Sequence, residues 1–135
     1  MNVTTVSSAE SLEHFAENLA RNLEPGRVLI LVGVMGAGKT TFTKGLARGL
    51  GFAGEVTSPT YTYIHEYPTP QGTLTHIDAY RLEPKSRLWQ MGLDELLERS
   101  RLTVIEWGLE FVTGLENPLV IRLEIVAESR HIVVG

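Results

Sequence analysis

The stretch "RVLILVGVMGAGKTTF", residues 27–42, sets an apolar run against a loop with three glycines, a lysine and two threonines. The run "RVLILV" is short and nearly all apolar, as expected of a central strand covered on both faces. Glycine is costly to order. A cluster of glycines is therefore expected where the chain turns sharply or lets something approach its backbone. Residues 33–40, "GVMGAGKT", fit G-x-x-x-x-G-K-[ST], the phosphate-binding loop. Glycines let successive backbone N–H groups converge into an anion nest. The helix that follows adds the positive end of its dipole. Lys39 places a cation against the terminal phosphates, and the Thr40 hydroxyl suits Mg²⁺, a hard ion that prefers oxygen. The competing reading is a glycine-rich turn with a chance lysine. The apolar strand before the loop and the amphipathic helix after it favour the phosphate site.

Working outward, a helix runs from Lys39 to about Leu50, with Phe42, Leu46 and Leu50 on one side and Gly51 at its end. Upstream, Ser7 and Glu10 have capping-box spacing, and Leu12, Phe15, Ala16, Leu19 and Leu23 recur at helical spacing. Pro25 and Gly26 end that helix. Downstream, "PTYTYIHEY" (59–67) and "TLTHIDAY" (73–80) read as strands of a hairpin joined by "PTPQG". Pro84 opens a helical region to about Arg99, and "RLTVIEW" (101–107) is a further apolar strand. "LVIRLEIV" and "RHIVVG" form a closing hairpin. The expected fold is α/β, a P-loop NTPase-type three-layer sandwich. Its central sheet is mixed and mainly parallel, with antiparallel hairpins at the edges.

A nucleotide site also needs an acid to hold Mg²⁺ or orient water. Asp78 and Glu106 each end an apolar strand, where sheets of this type carry their chemistry. The plainer reading has both merely leaving the sheet into solvent. His76 shares a strand face with Asp78 and reads as a packed or hydrogen-bonded ring rather than a ligand. No His, Asp or Glu group has zinc-ligand spacing. "TSPTYT" (57–62) is either a loop leading into a strand or a hydroxyl-rich switch sensing a γ-phosphate. The Lys39 ammonium is expected to be exposed in the empty loop.

Length and composition bound the rest. The 135 residues suit a single P-loop domain over 1–135. There are no cysteines, which excludes disulfides, thiolate metal sites and thiol catalysis and fits a cytoplasmic setting. Twelve basic against 16 acidic side chains, a formal net charge of −4, disfavours unaided grip on tRNA or DNA. No apolar run approaches the roughly 18 residues of a membrane span, and the N-terminus lacks a signal-peptide pattern.

Taken in order, "GVMGAGKTTFTKGLARGLG", "SPTYT", "HIDAYRL", "MGLDELL" and "VIEW" resemble the bacterial TsaE family, also called YjeE. These are small ATPases of the pathway that places threonylcarbamoyl on the adenosine next to the tRNA anticodon. The resemblance implies ATP and Mg²⁺ as ligands. It implies the TsaB–TsaD heterodimer as partner, with tRNA reached only through that complex and no membrane. It puts Gly33, Gly36, Ala37, Gly38, Lys39, Thr40 and Thr41 around the phosphates. It makes Thr40 and Glu106 the Mg²⁺ ligands and Asp78 the Walker B acid. Lys39, Asp78 and Glu106 form the catalytic set. Ser58 and Thr60 belong to the switch-like loop. Trp107 lies near the nucleotide, its alternative being an ordinary core aromatic. The N-terminal helix near Ser11 approaches the base. One departure stands out: the family commonly reads "GDLGAGKT", and this chain has Val34 in place of the acid. Two other functions fit the loop, a small-molecule kinase with arginines drawn from Arg81, Arg87, Arg99 and Arg101, and a nucleotide-gated binding module with negligible turnover. No N-K-x-D or T-K-x-D base-reading motif supports a GTPase.

Overall fold

The computed structural model describes residues 2–34, 36–56, 64–80, 82, 84, 87–109 and 114–135. Its elements are β1 (Asn2–Val6), α1 (Ala9–Asn22), β2 (Arg27–Val32), α2 (Lys39–Gly49), β3 (Ile64–Thr69) and β4 (Gly72–Asp78), then α3 (Arg87–Gln90), α4 (Leu93–Arg99), β5 (Ser100–Glu106), β6 (Leu119–Val126) and β7 (Ser129–Val134). The apolar run is strand β2. It sits in a seven-stranded sheet of order β1-β7-β6-β2-β5-β4-β3. The four strands β6, β2, β5 and β4 are parallel. Antiparallel pairing adds β3 at one edge and β7 and β1 at the other. The parallel centre with antiparallel edges is the arrangement the sequence predicts.

Alternation along β2 explains why the run is apolar throughout. Leu29 and Leu31 pack under α1 and α2 with Leu12, Phe42 and Leu46. Val28 and Ile30 face the opposite layer, with Leu88 and Leu93 of α3 and α4. A strand covered on both faces has no position for a polar side chain. The sheet is thus the middle of three layers.

The two helices over the P-loop approach each other unusually closely. A Cβ on Gly45 would run into the Glu13 carbonyl oxygen and lie 2.7 Å from the Ala16 Cβ. One turn later, a Cβ on Gly49 would meet the Glu17 carbonyl oxygen and lie 2.8 Å from the Ala20 Cβ. Ala16 and Ala20 are themselves fully buried. Phe42, Leu46 and Leu50 are fully buried too, as their spacing predicts. The glycines between them are what bring α1 down onto α2.

Four boundaries differ from expectation. The α1 cap is Ser8, not Ser7. The Ser8 hydroxyl accepts from the Ser11 amide at 3.0 Å, and the Ser11 hydroxyl accepts from the Ser8 amide at 3.2 Å. A serine does the work usually given to Glu at this position. The helical region after Pro84 is two short helices, broken at Gly92 with φ of 91°. Strand β3 continues through Pro68 and Thr69, because at a sheet edge a residue without N–H costs no ladder bond. The N-terminal residues form β1, a largely exposed edge strand on β7 whose sequence lacks a clear alternation. The first part of the expected strand, residues 59–63, lies outside the described residues.

The α1–α2 contact sets a test with a counter-intuitive sign. Gly→Ala inside a helix ordinarily stabilises by roughly 0.5–1 kcal/mol. Gly45→Ala is instead expected to destabilise by about 1–3 kcal/mol, the usual cost of overpacking. Urea unfolding of Gly45→Ala beside the exposed control Lys44→Ala checks this, and a more stable Gly45→Ala protein contradicts the packing described.

Candidate nucleotide site

The loop between β2 and α2 is shaped by its glycines. Gly36 and Gly38 have φ of 85° and 105°, left-handed values that side-chain-bearing residues rarely adopt. Gly38 is the N-cap of α2 and supplies no side chain to the helix end. The first-turn N–H groups, those of Lys39, Thr40 and Thr41, have no intrahelical acceptor by geometry. That leaves a helix N-terminus with its donors open toward an anion. The Ala37 amide donates to the Val34 carbonyl at 3.1 Å and closes the turn. From β7, two strands away from β2, the Arg130 guanidinium donates to the Gly36 carbonyl at 3.3 Å. Gly33 is tight: a Cβ there would lie 3.1 Å from the Leu123 carbonyl oxygen and 3.2 Å from the Ala37 Cβ.

Parallel pairing brings the acids to this end of the sheet. Asp78 of β4 and Glu106 of β5 are register partners, and Glu106 pairs with Leu31 of β2. Their surroundings differ. Asp78 is half-buried, and its Oδ1 accepts from the Tyr80 amide at 3.0 Å. Glu106 is 4% exposed. Its Oε2 lies 2.5 Å from His76 Nε2, and its Oε1 lies 3.6 Å from Lys39 Nζ. Among the described residues, then, Glu106 does not leave the sheet into solvent, and His76 is the hydrogen-bonded ring expected.

Lys39 departs from expectation. Its ammonium is mostly buried, paired with Glu106 and 4.6 Å from the centroid of the Trp107 ring. The cation rests on the carboxylate and an aromatic face. Trp107 is not a core aromatic. It is 41% exposed, packs against the tilted Tyr80 ring at 4.8 Å between centroids, and has φ of 61°. Burial by itself raises the Glu106 pKa. The hydrogen bond and electrostatic attraction to His76, with the charge of Lys39, outweigh burial and hold the group below its ordinary 4.5.

Thr40 and Thr41 are half-buried in the first turn of α2, beside the open amides. Ser58 and Thr60, with Met35 and Arg81, lie outside the described residues. Two clefts flank the loop. One, of about 690 Å³, has Val34, Lys39, Trp107 and Leu109 on its walls. Val34 is 62% exposed there, so the residue that replaces the common acid faces outward. The other, of about 230 Å³, lies between Ser7 and Ser8 of the α1 entry, Gly36 and Gly38 of the loop, and Arg130. Sequence reasoning missed the Tyr80–Trp107 contact and the Arg130 tether, since neither has a local signal.

The family model "Threonylcarbamoyl adenosine biosynthesis protein TsaE" matches residues 6–132. The chain belongs to the TsaE family. A TsaE protein of Treponema pallidum is 39% identical over 125 residues, covering 92% of each chain. One from Bacillus subtilis is 45% identical over 99 residues, 73% of this chain and 61% of that longer protein. The crystal structure of Bacillus subtilis YdiB superposes with a TM-score of 0.77 at 33% identity, over 97% of this chain and 82% of that one. The TsaE family acts in tRNA threonylcarbamoyladenosine biosynthesis. No helix among the described residues is long and apolar enough to cross a membrane.

The depressed Glu106 pKa makes a stability prediction for the TsaE-family chain in chelator. A carboxylate whose folded pKa lies below its unfolded value stabilises the fold above the unfolded value. That contribution is lost as pH falls through the folded one. Parent protein is expected to exceed Glu106→Gln in stability by about 1–3 kcal/mol at pH 7. The gap should narrow as pH drops below 4.5. Denaturant unfolding across this range reads the gap, and a difference that stays constant with pH contradicts the assignment.

Proposed function

We propose that this TsaE-family chain binds and hydrolyses ATP with Mg²⁺, as an accessory factor to the TsaB–TsaD heterodimer in threonylcarbamoyl modification of tRNA. The observation that carries the reading is an open helix N-terminus with Lys39, Glu106 and Asp78 gathered beside it. The backbone amides of the glycine loop and of Lys39, Thr40 and Thr41 bind the phosphates. Lys39 exchanges its carboxylate partner for a phosphate oxygen and compensates charge there. Glu106 Oε1 and the Thr40 hydroxyl are the groups that would hold the cation. Both are oxygen donors of the kind Mg²⁺ selects. Among the described residues no cluster of three His, Asp or Glu offers the metal a ready-made cage, which suits an ion brought in with nucleotide. When bound, Mg²⁺ neutralises charge building on the phosphoryl oxygens. Asp78, with one oxygen fixed by the Tyr80 amide, has its other oxygen to orient water. The cleft between Ser8 and Arg130 accommodates the base, and Trp107 stands on the other flank. Ser58 and Thr60 supply the nucleotide-sensing segment that couples to TsaB–TsaD, and tRNA is reached only through that complex.

The kinase reading needs free arginines near the phosphates. Arg99 pairs with Glu66 at 2.9 Å, and Arg101 donates to the Leu23 carbonyl at 2.8 Å. Arg101 also lies at the opposite end of β5 from Glu106. These contacts engage two of the four candidate arginines away from the loop; Arg87 is exposed at the start of α3, and Arg81 lies outside the described residues.

Lys39→Ala is expected to weaken ATP binding roughly 10- to 150-fold, the worth of a charge-assisted contact of about 1.5–3 kcal/mol. Calorimetry measures it, and unchanged affinity removes the phosphate-site assignment. The purpose is tested separately by reconstituted modification with TsaB–TsaD. Product should stall when this chain is omitted and resume when it is added with ATP. Equal multiple-turnover modification without it, or tight binding to bare tRNA with none to TsaB–TsaD, contradicts the accessory role.

A further inference from the structure

We infer that His76 is a positioning residue, whose buried imidazole holds one oxygen of Glu106 so that the other stays aimed at the cation position beside the P-loop. The inference rests on the reading of Glu106 as a magnesium ligand. It adds the group that orients that ligand.

His76 is fully buried on β4. The β4–β5 register pairs His76 with Val104 and Asp78 with Glu106. The ring therefore reaches the carboxylate diagonally across neighbouring strands, a separation long side chains can span. Nε2 lies 2.5 Å from Oε2. Nδ1 is buried and has no partner among the described residues. With a proton on Nε2 the ring donates to the carboxylate, whereas a ring protonated on Nδ1 alone would strand a buried N–H and face a lone pair to a carboxylate. Burial of the ring and this one bond thus fix the orientation of Glu106.

The two carboxylate oxygens then have different duties. Oε2 is occupied by His76. Oε1 is 3.6 Å from Lys39 Nζ, close enough for electrostatic attraction and longer than a hydrogen bond. Its lone pairs remain available. Without the imidazole, the Glu106 side chain regains rotamers that turn Oε1 away or let both oxygens close on Lys39, and ordering it again costs entropy. Hydrogen-bond partners behind metal ligands commonly change metal affinity by 10- to 100-fold.

The test measures ATP affinity by calorimetry over a series of free Mg²⁺ concentrations, with a chelator as the metal-free point. His76→Leu is expected to raise the Mg²⁺ needed for half-maximal enhancement roughly 10- to 100-fold. Affinity in chelator should change much less than the Mg²⁺ midpoint, since the ring reaches the phosphate loop only through Glu106. His76→Gln, whose amide N–H can reach the carboxylate, should restore most of the parent midpoint. His76→Asn, one methylene shorter, should resemble His76→Leu. In a Glu106→Ala background, His76→Leu should have no further effect. If Glu106→Ala abolishes the Mg²⁺ enhancement while folded His76→Leu keeps the parent midpoint, the positioning role is overturned. Should Glu106→Ala leave the Mg²⁺ dependence unchanged, the ligand reading fails first and the positioning claim with it. If His76→Leu does not fold, the Gln and Asn variants decide, and equal midpoints for those two overturn the proposal.

Discussion

A carboxylate that is 4% exposed has to be held by something. Glu106 is held from two sides, by an imidazole on β4 and by an ammonium at the start of α2. Burying one member of such a set alone is strongly unfavourable, so the three stand or fall together. They belong to three different elements. The register of β4 on β5, the position of the first turn of α2, and the path of the glycine loop between β2 and α2 are thereby made mutually dependent. The α1–α2 contact works on the same point from outside. Gly45 and Gly49 let α1 settle onto α2, and Leu12 of α1 comes against Gly38 at the loop.

Much of this was legible in the sequence, because its signals are local. The phosphate loop has a fixed spacing, the strand before it is unbroken in apolar character, and the helix after it has an apolar side. Asp78 and Glu106 were legible as polar residues ending apolar runs. Their adjacency was not, since a parallel register is set by the whole sheet. The same holds for the burial of Lys39. A lysine in a glycine loop looks solvated until a carboxylate from a strand far along the chain is placed beside it. The helix expected across residues 84–99 broke because helical spacing does not reveal a left-handed Gly92. Strand β1 was illegible because an edge strand with one buried residue carries almost no pattern. The N-cap shifted by one because Ser7 and Ser8 are chemically equivalent in a sequence and only one has extended backbone with Ser11 in reach.

Trp107 joins two demands that usually conflict. At φ of 61° the backbone suits glycine, and holding a bulky residue there costs of order 1–3 kcal/mol. The indole offsets this by packing against Tyr80 and lying under the Lys39 ammonium. The backbone conformation turns the chain out of β5 immediately after Glu106, and the side chain turns back over the loop. Glycine would meet the first demand and leave the lysine with the carboxylate alone.

The place of β2 in the sheet has a kinetic side. Its two neighbours are β5, paired from Arg27 with Leu102, and β6, paired from Leu29 with Leu119. Both follow it by most of the chain's length. During synthesis the phosphate loop and its helix emerge long before either strand that flanks their supporting strand. Until then α1 and α2 can pair with each other, but the most apolar strand of the protein lacks both partners. Non-local parallel pairing of this kind folds slowly and leaves an unpaired edge exposed in the interval. A nascent chain halted before residue 119 would hold the complete phosphate-loop sequence beside a strand open on one side, and so be a template for misassociation rather than a partial nucleotide site.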